Sequence, residues 1–333
     1  MRRWVTTGLG LAPLLLSSGS PSQARAPATA VGKAAAVAAA LVALAALAPA
    51  APAAGGDGDR ARPSPGCKEG WSAAGPKRAG ETVHTIQVDG ETRSYRLAGP
   101  KNVRARGPVP LVLLIHGFSS NADSFSSLTR LPAQGAADGF LVATPDGTDG
   151  RWQLDAHGSD AAFVDALVDE LTSTYCVDLR NVHAAGMSLG SAFGLLYSCV
   201  RQDEIASFVA VTVEFQLGCS TPMSILAFHG TEDPLVPYQD GEIGLSLPGP
   251  VRGTELNMTD WAELDRCRTG PLDTIVGDEV VERAWHDCAD DTRVVLYTVE
   301  GGGHTWPGAD PDLAIGLTTD QVDATAEILA FFG

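Results

Sequence analysis

Gly186-Met187-Ser188-Leu189-Gly190 is the first group in this chain whose residue types and spacing could do chemistry. A serine hydroxyl is a weak nucleophile at neutral pH; attack on a carbonyl needs a base, ordinarily histidine, held in one tautomer by a carboxylate. With 37 glycines in the chain, a bare G-x-S-x-G pattern is cheap, so its surroundings must decide. It follows the apolar run 182–185 and opens a helical pattern over 188–200. The serine therefore falls on a sharp strand-to-helix turn, which needs glycine on both sides and lifts the hydroxyl clear of a sheet. Two later groups complete the set. Asp233, in His229-Gly230-Thr231-Glu232-Asp233, comes directly after the run 224–228, and His304, behind Gly301-Gly302-Gly303, comes directly after 293–299. Nucleophile, acid and base thus follow one another along the chain, each just past a strand.

Other residues compete for these roles. Glu214 ends the strand before that of Asp233 and is the rival acid, but apolar Phe215 follows it rather than a turn. His84 and His157 precede the serine, His183 lies within a strand, His229 comes before Asp233, and His286 sits beside Cys288 in an irregular segment. A tetrahedral intermediate also needs donors for its oxyanion. The Leu189 N–H, at a helix N-terminus, is one candidate, and the Phe118 N–H, after His116-Gly117, is the other. His116 itself is expected to hold backbone rather than move protons. Trp152 and Trp306 are candidates to line an acyl or alcohol pocket, with ordinary packing near strand ends as the equal alternative. No metal and no cofactor is expected: no cysteine pair has C-x-x-C spacing and no His–Cys grouping resembles a zinc site.

The elements that must position these residues can be read from periodicity. Runs at 82–88 and 93–97 flank Asp89-Gly90, the strongest short hairpin signal. Further runs at 111–115, 140–143, 182–185, 208–213, 224–228 and 293–299 bring the count to eight strands. Helical patterns lie between most of them, at 124–137 and 188–200, and after Ser159 with Phe163, Val164, Leu167, Val168 and Leu171 on one face. A last helix is signalled by the capping box Thr318-Thr319-Asp320-Gln321, with Val322, Ala326 and Leu329 inward. The expected architecture is α/β: a mostly parallel eight-stranded sheet with an N-terminal hairpin and helices on both faces, the α/β-hydrolase fold. Residues 241–291 break the alternation and are expected to form a cap-like insertion with a short helix over 261–267.

Composition bounds the rest. Residues 1–54 contain Lys33 ahead of an apolar Ala-rich run and small-residue sites near 50–54, as in an export signal. A second signal-like stretch with Arg2 and Arg3 precedes it, which suggests a true start near Val31. The run is too short for a stable membrane span. Residues 55–80 are expected to be a flexible tether anchored only by Cys67, and 81–333 the catalytic domain, acting outside the cell. Loss of 1–54 removes Arg2, Arg3, Arg25 and Lys33 and no acid, taking the net charge from −17 to −21. Such a field argues against nucleic-acid partners. The six cysteines, behind an export signal, are expected to pair as disulfides, with Cys267–Cys288 the best single pair because both lie in the insertion. Oligomeric state is left open.

Five ordered blocks carry a resemblance. Residues 111–117, Pro145-Asp146-Gly147-Thr148, 186–190, His229-Gly230-Thr231-Glu232-Asp233 with Pro237-Tyr238, and Gly302-Gly303-His304-Thr305-Trp306-Pro307-Gly308 together look like the polyhydroxybutyrate depolymerase and feruloyl esterase-like family. The resemblance implies an exported serine carboxylesterase without cofactor, its triad on Ser188, Asp233 and His304. Two places depart from the family pattern: Thr212-Val213-Glu214-Phe215 stands where a small apolar strand end is expected, and Leu189-Gly190-Ser191 replaces a polar Asn-Gly-Gly. The expected substrates are short-chain or hydroxyacyl esters, soluble or oligomeric rather than crystalline polyester, since no polymer-binding module follows the catalytic domain. Feruloyl or acetylxylan esters are the alternative, and a non-catalytic binding protein of the same fold is the alternative of another class.

Overall fold

Asp89 and Gly90 take φ of 51° and 86°, the pair of positive values that a two-residue hairpin turn needs. They join β1 (Thr82–Val88) to β2 (Glu91–Ala98), with Val88 opposite Glu91. The structure is a computed structural model and describes residues 61–67, 80–100, 107–243 and 250–333. The expected leader 1–54 and most of the expected tether lie outside the described residues. What is described of the tether is fastened down: Ser64 N–H bonds to Val177 O at 2.8 Å, Leu179 N–H bonds to Arg62 O at 2.8 Å, and Cys67 is bridged to Cys176.

After the hairpin come β3 (Val109–Ile115), α1 (Ala122–Thr129), α2 (Leu131–Asp138), β4 (Leu141–Pro145), α3 (Ser159–Thr174), β5 (Val177–Met187), α4 (Leu189–Val200), β6 (Ser207–Val211) and β7 (Ser224–Gly230). Two short strands follow, β8 (Gly241–Glu242) and β9 (Pro250–Val251), then α5 (Thr254–Leu264), β10 (Thr269–Ile275), β11 (Val280–His286), β12 (Val294–Val299) and α6 (Ala324–Phe332). The large sheet has the order β1-β2-β4-β3-β5-β6-β7-β12-β11-β10. From β4 to β12 every neighbouring pair is parallel, and an antiparallel hairpin flanks each side.

Strand periodicity places the core. Along β3, Leu111, Leu113 and Ile115 enter one buried cluster with Phe163, Leu167, Phe193 and Trp261, while Val112 and Leu114 enter another with Phe125, Phe228 and Ile328. A strand buried on both faces reads as a continuous apolar run, as 111–115 does. Truncating one of these large aromatics to Ala should cost about 3–5 kcal/mol.

The structure corrects several expectations. The large sheet has ten strands, not eight, because the region expected to be a cap supplies β10 and β11, which extend the sheet past β12. β10 gave little apolar signal because every residue of this edge strand is exposed, and β11 because Glu282 and Arg283 interrupt its apolar residues. The helix within that region is Thr254–Leu264 rather than 261–267. The expected helix over 124–137 is two, split at Arg130 (φ 57°), whose left-handed backbone ends α1 while Pro132 opens α2. The last helix starts at Ala324, capped by Asp323 Oδ1 accepting the N–H groups of Thr325 and Ala326, not at the 318–321 capping box. Ala326 is exposed on it, and Ile328 takes the inward place.

Cysteines pair as Cys67–Cys176, Cys199–Cys219 and Cys267–Cys288, the last as expected. No helix among the described residues is long and apolar enough to cross a membrane, and no group of three or more metal-ligating side chains occurs among them.

Candidate active site

Between the end of β5 and the start of α4, Ser188 adopts φ 57°, ψ −126°, a strained conformation for a residue with a Cβ. Its N–H is held by Val211 O at 3.0 Å. The flanking glycines are needed for contact. A Cβ on Gly190 would lie 2.3 Å from the carbonyl oxygens of both Ile115 and His116, and one on Gly186 would lie 2.5 Å from Gly190 O. The elbow is therefore pressed onto the end of β3.

That same end of β3 carries the proposed oxyanion loop, whose fixing follows from His116. Its Nε2 accepts the Gly147 N–H at 3.0 Å, so Nδ1 carries the proton and donates to Gly117 O at 2.8 Å. Burial pushes the His116 pKa down and keeps the ring neutral. Trp152 Nε1 donates to His116 O at 2.8 Å. A Cβ on Gly117 would sit 3.4 Å from Ser188 Cβ, so this loop lies against Ser188. The Phe118 ring is exposed, with the Arg151 guanidinium 5.0 Å from its centre.

Asp233 lies just past β7. Its Oδ1 accepts the N–H groups of Leu235 at 2.8 Å and Val236 at 2.9 Å, while Oδ2 is 2.7 Å from His304 Nδ1. Burial alone would raise the Asp233 pKa; the His304 hydrogen bond and charge, with the two backbone donors, outweigh it and hold the group ionised. His304 lies beyond β12, its N–H bonded to Ile315 O at 2.8 Å and that of Gly303 to Leu317 O at 2.8 Å. The loops that carry Asp233 and His304 touch through backbone. A Cβ on Gly230 would meet Gly302 O at 2.2 Å, and Glu232 N–H bonds to Gly302 O at 2.9 Å.

The structure thus brings Asp233 and His304 into direct contact. Among the described residues Ser188 Oγ makes no hydrogen bond to His304; such bonds are often long without substrate. Of the rivals, His183 is buried against Phe332 with its pKa pushed down to about 3 by burial. The two tryptophans considered for a substrate pocket are packed inside. Trp152 stacks on Phe193 with ring centres 4.8 Å apart, and Trp306 meets Phe125 edge-on at 5.6 Å with Nε1 donating to Thr325 Oγ1. Only 4% and 1% of their surfaces are exposed. One cluster went unforeseen: Glu214 and His229, each set aside for a triad role, meet with Thr254 and Asn257 of α5 behind Asp233. The signal for it in the sequence is Glu214 itself, an acid where the family pattern has an apolar strand end.

Comparison with known proteins fits this geometry. A sequence model of the family described as Esterase PHB depolymerase matches residues 93–221, a stretch that includes Phe118, Ser188 and Leu189. Over 265 residues, 68% of this chain and 74% of the relative, the chain is 31% identical to NocK of Nocardia uniformis subsp. tsuyamanensis, provisionally named an esterase. This chain belongs to the Esterase PHB depolymerase family. Membership makes it an esterase, on the α/β-hydrolase fold. It is also 28% identical to feruloyl esterase B of Piromyces equi, over 59% of this chain and 39% of that protein. With feruloyl esterase C of Emericella nidulans the identity is 27%, over 54% and 65%. The chain therefore spans less than two thirds of the length of these two feruloyl esterases. Among solved structures, the acetyl xylan esterase from Aspergillus awamori superimposes with a TM-score of 0.54 at 12% identity, over 75% of this chain and 98% of that one, a likeness of fold.

Proposed function

We propose that the chain is an exported serine carboxylesterase that cleaves short-chain or hydroxyacyl esters through an acyl-enzyme. The observation that carries this reading is the 2.7 Å contact between His304 Nδ1 and Asp233 Oδ2. With Nδ1–H committed to Asp233, Nε2 is the nitrogen left to take a proton, the arrangement a general base requires. In the reaction His304 takes the proton of Ser188 as Oγ bonds to the ester carbonyl carbon. The oxyanion rests on the N–H groups of Leu189 and Phe118. Collapse expels the alcohol, which takes the proton from His304. Water then attacks the acyl-serine with His304 again as base, releasing the acid and restoring Ser188.

Three disulfides and a net charge of −17 support export and a neutral ester substrate, and disfavour nucleic acid. Feruloyl or acetylxylan esters are the second reading, favoured by the names of the relatives above. A fluorophosphonate probe followed by mass spectrometry should label Ser188. Turnover of 3-hydroxybutyryl, feruloyl and acetyl esters then ranks the acyl groups. An unlabelled Ser188 in active protein would refute the mechanism.

A further inference from the structure

The reaction just described makes no use of Glu214 and His229, a pair whose side chains are each 1% exposed. Glu214 follows the end of β6, and His229 is the penultimate residue of β7. His229 Nδ1 lies 3.0 Å from Glu214 Oε2, and Nε2 lies 3.0 Å from Val236 O. A carbonyl oxygen can only accept, so Nε2 carries a hydrogen. Nδ1 and Glu214 Oε2 at 3.0 Å need a proton between them, on Glu214 or on Nδ1, because the Thr254 hydroxyl, the other donor near Nδ1, hydrogen-bonds Glu214. Three features assign it to the ring. Imidazole is the stronger base by about two pKa units. Asn257 Nδ2 donates to Glu214 Oε1 at 3.0 Å, which favours a carboxylate. The Asp233 carboxylate oxygen Oδ2 lies 3.7 Å from His229 Nε2, which favours a cation.

The other groups around His229 are polar or aromatic. Thr254 Oγ1 of α5 is 2.8 Å from Nδ1, and the Tyr238 ring stands edge-on at 5.6 Å, its hydroxyl shared with Thr298 of β12 and Glu255. Burial opposes charge on both partners, but their mutual attraction outweighs it, lowering the Glu214 pKa and raising that of His229.

We infer that Glu214 and His229 are positioning residues for the catalytic acid: a buried imidazolium, held by Glu214, keeps Asp233 ionised and its Oδ2 aimed at His304. Oδ2 lies between two imidazole nitrogens, 2.7 Å from His304 Nδ1 and 3.7 Å from His229 Nε2. The turn 233–236 is gripped from both sides, because Val236 gives its N–H to Asp233 Oδ1 and takes the Nε2–H of His229 on its carbonyl. The inference rests on the triad reading of Ser188, Asp233 and His304.

Glu214→Gln keeps the shape and removes the charge. With active sites counted by fluorophosphonate labelling, its kcat should fall about tenfold at little change in KM. The acid limb of its kcat/KM profile should move to higher pH, because Asp233 then acts on His304 without a counter-charge. A profile and per-site kcat that overlay those of the wild type, with only a lower melting temperature, would show a structural role and overturn the inference. A measurement on the unaltered protein covers the case of a variant that does not fold. At about pH 8, where an ordinary histidine is neutral, nitrogen NMR of the seven histidines should show one ring protonated on both nitrogens. Seven neutral rings would overturn the inference. Failure of Ser188 to label would instead sink the triad reading and leave the NMR result standing.

Discussion

Asp233 divides its two carboxylate oxygens between backbone and base: Oδ1 takes the N–H groups of Leu235 and Val236, and Oδ2 alone faces His304 Nδ1 at 2.7 Å. Rotation of the carboxylate is blocked, so the imidazole is held in one tautomer. Asp233→Asn keeps the size and presents an amide to Nδ1, which tolerates the wrong tautomer. Its kcat on p-nitrophenyl esters should drop by roughly 10³–10⁴. Steady-state kinetics on folded protein decides, and a loss under tenfold would remove Asp233 from the role of acid.

The same carboxylate sets a pH dependence. Its pKa is lower in the folded chain than in the unfolded one, so the stability it contributes is present above the ordinary Asp pKa of about 4 and is lost as pH falls through the folded value. Wild type should therefore lose more stability than Asp233→Asn on acidification from about pH 6 to below 4. Parallel urea unfolding at the two pH values measures it, and equal losses would contradict the assignment.

Asp265 behaves in the opposite sense. Burial pushes its pKa up to about 6, against the hydrogen bonds it receives, one of them from Met223 N–H at 3.0 Å. A raised folded pKa means that its stabilisation is complete below the unfolded value near 4 and is lost as pH rises through about 6. Asp265→Asn keeps an acceptor for Met223 and carries no charge. The variant should gain on wild type by about 1 kcal/mol at pH 8 and gain nothing at pH 4. Melting curves at the two pH values test the sign.

Trp152 anchors the loop beside Ser188, the proposed nucleophile, through its bond to His116 O. Trp152→Phe preserves an aromatic ring over Phe193 and loses that bond. Its cost should fall on kcat, about tenfold, rather than on KM, since the donors of the oxyanion hole act in the transition state. A KM effect with unchanged kcat would point to substrate contact instead.

Cys267 and Cys288 close a loop with a sequence separation of 21 beside the sheet edge. Replacing both with Ser should lower stability by about 3 kcal/mol through restored chain entropy, with kcat kept. Chemical denaturation with activity assays under reducing and non-reducing conditions would check both halves.

How much of this could be read in the sequence depended on sequence distance and burial. The six parallel strands are buried on both faces, so 111–115 or 224–228 stand out as unbroken apolar runs, and Ser188, Asp233 and His304 were placed at their ends by counting forward. β10 and β11 were missed for the converse reason. They form the far edge, where Asp273 and Arg283 pair across the strands and exposed charge dilutes the alternation. Arg130 gives no sequence signature for its left-handed backbone, and the one signal for the break is Pro132, which opens α2. The Glu214–His229 pair joins two strand ends separated along the chain; Glu214 looked only like a misplaced acid until β6 and β7 were set side by side.

The backbone meeting of Gly230 and Gly302 has a mechanical consequence. The loops of Asp233 and His304 are joined to each other through backbone, and the turn of Ser188 is seated on the end of β3. At both places the spacing is built in by carbonyls that leave no room for a methyl group. Any change of spacing between Ser188 and His304 therefore has to come from the loops that carry them, since β5, β6, β7 and β12 are joined edge to edge in one sheet.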